Sequence, residues 1–141
     1  MTLELKVEDY PLSERSPGLV RGQRGKSLGE VTLDALAQGD VQMEDLRITS
    51  QALLYQAQIA RAAGRPTLAQ NFERAAELVD VPQDVVMEVY ELLRPGRAQS
   101  KQELLEAADR LRRDHGANRM AAFIGEAAEV YDRRGLFTYR F

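Results

Sequence analysis

The chain has no cysteine and no tryptophan, and its 141 residues include a single histidine, His115. Without cysteine there can be no disulfide, no thiolate nucleophile and no cysteine-ligated zinc or iron–sulfur site, which fits a reducing compartment. One imidazole leaves almost no histidine chemistry. His115 has no second ligand three or four residues away, so it makes a poor metal site; at a helix end, as His⁺, it would instead interact favourably with the C-terminal dipole. Aromatic residues make up only 6% of the chain. No run of roughly 18 apolar residues occurs, and the N-terminus is too charged for a signal peptide, so the expectation is a cytoplasmic chain with no membrane association. An excess of positive charge is lacking too. The formal charge is −3 and the pI about 5.3, which argues against nucleic acid, whose phosphates need a basic field.

What is present is helical periodicity. Residues 63–95 read as two helices that meet at a proline. Pro66 suits the first turn of a helix, because its missing N–H would have had no partner there. Leu68, Phe72, Ala75, Ala76 and Val79 then recur at the 3.6-residue period, with Glu73, Arg74 and Glu77 facing away. Pro82 ends that helix and opens the next, in which Val85, Val86, Val89, Tyr90 and Leu93 form the stripe before Pro95. So short a link predicts a helical hairpin.

The flanking stretches follow the same logic. A helix begins after Thr49 or Ser50, either of which can cap it, and runs through Leu53, Leu54, Ala57, Ile59 and Ala60 to Gly64. Ser100 and Glu103 form a capping box ahead of Leu104, Leu105, Ala108 and Leu111. Glu106–Arg110 and Asp109–Arg113 are i,i+4 pairs that mark the wet face of that helix. Gly116 stops it. Asn118 can cap the last helix, which carries Met120, Phe123, Ile124, Ala127, Ala128 and Tyr131 to Gly135. The aromatic tail over 136–141 is expected to dock.

Residues 1–48 differ in texture. Pro11, Pro17 and Gly18, Gly22, Gly25, Gly29 and Gly39 interrupt any long run. Leu3, Leu5 and Val7 alternate as in a strand, yet no second strand follows to pair with them, so an arm laid on another surface is the better expectation. Thr32–Gln38 reads as a short helix capped by Thr32 and stopped by Gly39. Val41, Met43, Leu46 and Ile48 carry further apolar groups that something must cover. The fold class is therefore all-α, a bundle of about five helices over residues 49–141, preceded by a long irregular arm over residues 1–48.

A search for catalytic chemistry finds little. Gly22-Gln23-Arg24-Gly25-Lys26-Ser27 looks like a phosphate loop, but it has Val20 where the pattern needs glycine and lacks the preceding strand, which leaves an exposed basic loop. Carboxylates such as Glu73 and Glu77 are expected to be solvated or paired with bases, and Arg74 and Arg94 are suited to bidentate carboxylate bonds across an interface. Phe72, Tyr90, Phe123 and Tyr131 sit at core spacing. Tyr55, on another face of its helix, is a better interface candidate.

Three blocks in order, Asn71-Phe72-Glu73-Arg74-Ala75-Ala76-Glu77-Leu78, Val81-Pro82-Gln83-Asp84 and Tyr90-Glu91-Leu92-Leu93-Arg94-Pro95, resemble the small (gamma) subunit of the adenosylcobalamin-dependent diol and glycerol dehydratases. Val7-Glu8-Asp9-Tyr10-Pro11-Leu12, Arg47-Ile48-Thr49 and Glu126-Ala127-Ala128 extend the likeness over residues 7 to about 134. The resemblance implies a noncatalytic chain of a three-subunit lyase that turns propane-1,2-diol or glycerol into an aldehyde and water by radicals. It implies a large (alpha) subunit holding substrate and metal ions, adenosylcobalamin lying between the large and medium (beta) subunits and not bound by this chain, and a dimer of heterotrimers. The family's cobalamin pattern Asp-x-His-x-x-Gly does not surround His115. Some members carry a longer N-terminal extension associated with microcompartments; here the matching region begins almost at once, so the N-terminus gives such packaging no support and leaves it open. The candidate interface residues are Tyr10, Pro11, Leu12, Arg47, Tyr55, Arg74 and Arg94. The rival expectation is a free-standing helical adaptor or reactivase-type partner without catalytic activity.

Overall fold

The computed structural model describes residues 3–138. Over this range there are seven α-helices and four short 3₁₀ turns, and no strand; the nearest thing to one is an isolated bridge between Arg21 and Ser27. The all-α expectation holds. The chain forms two compact units, Met1–Val79 and Asp80–Phe141.

In the first unit, α1 (Leu12–Arg15) and α2 (Leu33–Ala37) are short, whereas α3 (Ser50–Ala62) and α4 (Pro66–Leu78) are the main helices. Thr32 caps α2 by accepting from the Ala35 N–H at 3.1 Å. Of the two candidate caps for α3 it is Thr49 that accepts, from the Ala52 N–H at 3.0 Å. Ser50 instead donates to the Ala76 carbonyl of α4 at 2.8 Å, tying the two helices together. Between α3 and α4 the chain turns through Gly64, whose φ of +73° favours glycine.

The helices α3 and α4 pack through small residues, Ala57 and Ala60 against Ala69, with Leu68 and Phe72 half-buried at the margin. The buried line of α4 is thus Ala69 and Ala76 rather than Phe72. Phe72→Ala is accordingly expected to cost about half of the ~3–5 kcal/mol typical of a fully buried phenylalanine, measured as a shift in the denaturation midpoint. A cost at the full value would place the ring in the core. Glu73, expected to face away, has a side chain only 13% exposed and binds Arg61 of α3 at 2.5 Å.

The expected hairpin over 63–95 runs across the division between the two compact units. The partner of α4 is α3, and the chain divides at Val79–Asp80, inside the expected hairpin. Two proline-bounded amphipathic helices look alike whichever neighbour covers them, and Gly64 makes as tight a link as Pro82.

The second unit holds α5 (Gln83–Leu93), α6 (Lys101–His115) and α7 (Asn118–Arg133). Buried Leu104, Ala108 and Leu111 of α6 and Ala121, Ile124 and Ala128 of α7 form the stripes along which this pair packs. Ser100 accepts from the Glu103 N–H at 3.2 Å, but Glu103 reaches back to the N–H of Gln99 at 2.6 Å, one residue short of the expected box. Gly116, φ +63°, donates to the Arg112 carbonyl, the bond of an αL helix ending, and Ala117 donates to the carbonyl of Leu111. That ending puts buried Ala117 at the N-cap of α7, so Asn118 lies inside the helix and does not cap it.

Two aromatic expectations fail for one geometric reason. Tyr90 is 59% and Phe123 39% exposed, because each lies about 100° round its helix from a buried neighbour, Val89 or Ile124. Tyr131 keeps its place, donating to the Leu93 carbonyl at 2.5 Å and lying 6.3 Å, centroid to centroid, from Phe137. With Leu136 also buried, the first part of the tail docks on its own unit; Tyr139–Phe141 lie outside the described residues. The two i,i+4 pairs are replaced by Arg110–Glu88 at 2.8 Å, reaching α5, and by Arg112–Asp109 and Arg113–Asp114. The face is wet, as expected.

Candidate subunit interface

The site is built on the arm. Leu5 and Leu12 are buried against Ile59 of α3, with Leu19, Val20 and Tyr55 packed alongside, and the Leu5 N–H donates to Gln58 Oε1 at 3.0 Å. The surface on which this part of the arm lies is therefore its own chain's α3. Asp9 shapes the turn that follows. One carboxylate oxygen accepts from the Lys6 N–H at 2.8 Å, and the other from the Ser16 hydroxyl at 3.3 Å. This turn buries Leu12 while leaving Tyr10 61% exposed, across a Tyr10–Pro11 peptide that is cis.

The loop that resembles a phosphate cradle has a different use. Arg24 grips Asp45 with two parallel bonds, Nε to Oδ1 at 2.8 Å and Nη2 to Oδ2 at 2.7 Å, and Nη2 also donates to the Asp40 carbonyl. Asp45 is the one buried charged residue among those described, and it accepts from the Gln42 N–H as well. Bidentate guanidinium–carboxylate geometry adds orientation as well as strength. Gln23 completes the tie by donating to the Ile48 carbonyl at 2.8 Å. A Cβ at Gly22 would lie 2.6 Å from the Asp45 carbonyl oxygen, a backbone atom that cannot step aside, so only glycine permits this approach. The expected exposed basic loop is thus pinned to residues 40–48. Sequence reading missed Arg24 and Asp45, whose separation of 21 residues matches no local pairing rule; the available signal was an Asp inside an apolar-rich run.

The Arg24 bonds hold the Asp45 carboxyl below its ordinary value. A carboxylate lowered on folding contributes stability that is complete above its unfolded pKa, about 3.9, and lost as pH falls through the lower folded value. Wild type is therefore expected to melt above Asp45→Asn at neutral pH, with the gap closing below about pH 4. A gap that persists unchanged in acid would remove the ion pair as its cause.

These ties assemble a cleft of about 460 Å³. Its walls include Tyr10, Pro11, Leu12 and Arg47, four of the seven candidate interface residues, together with Leu46 and Ile48. Leu12 contributes from beneath, being only 4% exposed. Tyr55 is half-buried against the Leu5–Leu12–Ile59 cluster, so the chain's own arm takes up part of it. Arg74 and Arg94 are not in the cleft: Arg74 is half-buried on α4 and bonds Asn71, and Arg94 is exposed in the second unit, pairing with Glu91 at 3.2 Å. Nine of the thirteen exposed large apolar side chains among the described residues lie between Leu3 and Ile48, with Leu33 84% and Met43 74% exposed.

No group of three or more His, Cys, Asp or Glu among the described residues is placed to hold a metal ion, and no described helix is long and apolar enough to cross a membrane. His115 ends α6 beside the Arg113–Asp114 pair and the Gly116 cap, without the Asp and Gly spacing of a cobalamin loop.

Fold and site together define an all-α chain with a concentration of exposed apolar groups in its first third and a cleft tied shut at one side by an ion pair. The chain belongs to the dehydratase small subunit family, whose model matches residues 5–138. It is 46% identical over 129 residues to the propanediol dehydratase small subunit of Salmonella typhimurium, an alignment covering 92% of this chain and 74% of that protein. The propanediol dehydratase small subunit of Citrobacter freundii is similar to the same degree and extent.

Proposed function

We propose that this chain is the small, noncatalytic subunit of an adenosylcobalamin-dependent diol dehydratase, docked on the large subunit and assembled with the medium subunit in a dimer of heterotrimers. The reaction is the conversion of propane-1,2-diol or glycerol to the corresponding aldehyde and water. Adenosylcobalamin, held by the other two subunits, supplies the radical chemistry. In this reading residues 1–48 serve as the docking arm and residues 49–141 as the helical domain that carries it, and the complex works in the cytoplasm.

The observation that carries the reading is the distribution of apolar exposure. Leu28, Leu33, Leu36, Met43, Leu46 and Ile48 are each 46% exposed or more. Full burial of one such side chain is worth about 1.5–3 kcal/mol, so a partner that covered them would bind firmly. The similarity to propanediol dehydratase small subunits supports the choice of partner.

The deciding assay mixes large and medium subunits with and without this chain and follows aldehyde formation from propane-1,2-diol on addition of adenosylcobalamin. Activity is expected only with all three. Full activity from the large and medium subunits alone would remove the proposed role.

A further inference from the structure

The cleft walls carry charge of the sign opposite to that of the whole chain. The protein is net −3, yet Arg21, Lys26 and Arg47 all line this cleft, and its one acidic lining residue, Asp45, is already held by Arg24. Glu30 lies within the field of Lys26 and Arg21 but is bound to the Ser27 N–H at 2.7 Å. Arg47 is exposed and takes part in no salt bridge among the described residues. Beside it, Leu46 is 62% and Ile48 53% exposed, and Tyr10 stands at 61%. A cationic group set among uncovered apolar side chains calls for an occupant that is apolar and carries one negative charge. The volume admits a few side chains but not a helix, which is about 10–12 Å across.

We infer that this cleft receives a short, extended apolar segment of the large subunit, bearing a carboxylate that pairs with Arg47. The inference rests on the reading of this chain as a subunit docked to the large one, and it assigns that docking to particular residues. Leu46, Ile48 and Tyr10 take up the apolar side chains of the segment. The Arg24–Asp45 clamp, with the Gln23 bond to the Ile48 carbonyl, fixes the wall on which Arg47 stands.

The test uses the full chain with the large subunit alone, with the medium subunit alone, and by itself. Arg47→Glu and the double variant Leu46→Ser/Ile48→Ser are compared with wild type and with Arg97→Glu, a reversal at an exposed position of the second unit. All altered side chains are exposed, so helicity and melting should stay at wild-type values. Wild type and Arg97→Glu are expected to bind the large subunit equally. Arg47→Glu should weaken binding about tenfold and flatten its dependence on salt, as removal of an interfacial charge pair does; the double variant should weaken it at least as much without changing the salt slope. Unchanged binding by both cleft variants would overturn the assignment while leaving the docking reading intact. Failure of wild type itself to bind the large subunit would overturn both. Loss confined to medium-subunit binding or to self-association would give the cleft to another occupant and overturn the inference.

Discussion

Leu104→Ala is expected to destabilise the second compact unit by about 2–5 kcal/mol, the range for truncating a fully buried leucine where the surroundings cannot collapse. Leu104 is completely buried, and the facing stripe of α7 is Ala121, Ile124 and Ala128, also completely buried. Two of these three are alanines, with no side chain to move into the space, which places the cost toward the upper end. In a unit of this size each kcal/mol lowers Tm by about 4–8 °C, so the variant should be visibly less stable at ordinary working temperatures. Met87→Ala, 49% exposed on α5, is the matching change at the surface and should stay within about 0.5 kcal/mol of wild type. Equal effects of the two substitutions in thermal or chemical denaturation would show that the α6–α7 seam is not the core of this unit.

Deleting residues 1–30 is the second large effect. Leu5 and Leu12 are 5% and 4% exposed against Ile59, and each buried side chain of this kind is worth about 1.5–3 kcal/mol. The truncation therefore strips α3 of about 3–6 kcal/mol of cover and also removes Arg24, leaving the buried Asp45 without its counter-ion. Residues 80–141 lose nothing internal to their own unit. Amide exchange should consequently rise through α3 and α4 while α6 and α7 keep their protection. Unchanged protection of α3 would mean that the arm is a passenger on the helix; global loss of protection would mean that the two units do not hold their structure separately.

The sequence makes the helices legible because their signals are local. Thr32, Thr49, Ser100, Pro66, Gly39, Gly64 and Gly116 each act on a backbone group within a few residues, and each does in the structure what local chemistry predicts. The failures arise where the answer depends on distant parts of the chain. Which helix covers α4, and whether Tyr90 or Phe123 lies on the seam or beside it, turns on the choice of partner and on about 100° of rotation, which a stripe several residues wide does not specify. Glu106 and Asp109 illustrate the same limit: the i,i+4 geometry was available, but Arg110 binds Glu88 on another helix, and Asp109 takes Arg112.

The candidate site divides in the same way. Asp9-Tyr10-Pro11-Leu12 and Arg47 are separate motifs in the sequence, and nothing local says that they share a cleft. They meet because Arg24 and Gln23 fasten the loop at 22–25 to residues 40–48, a long-range contact made by residues that look like a basic surface loop. Arg74 and Arg94 belong to other parts of the chain, and their bonds to Asn71 and Glu91 are local ones.

The central claim is that this chain exists to complete another polypeptide's surface. It is tested most directly by co-expressing it with the large and medium subunits and measuring the native mass of the purified complex at high dilution. The account predicts that the chain stays in the particle, in equal number with each of the other two subunits. A large–medium assembly at its full mass, with this chain migrating alone, would contradict it.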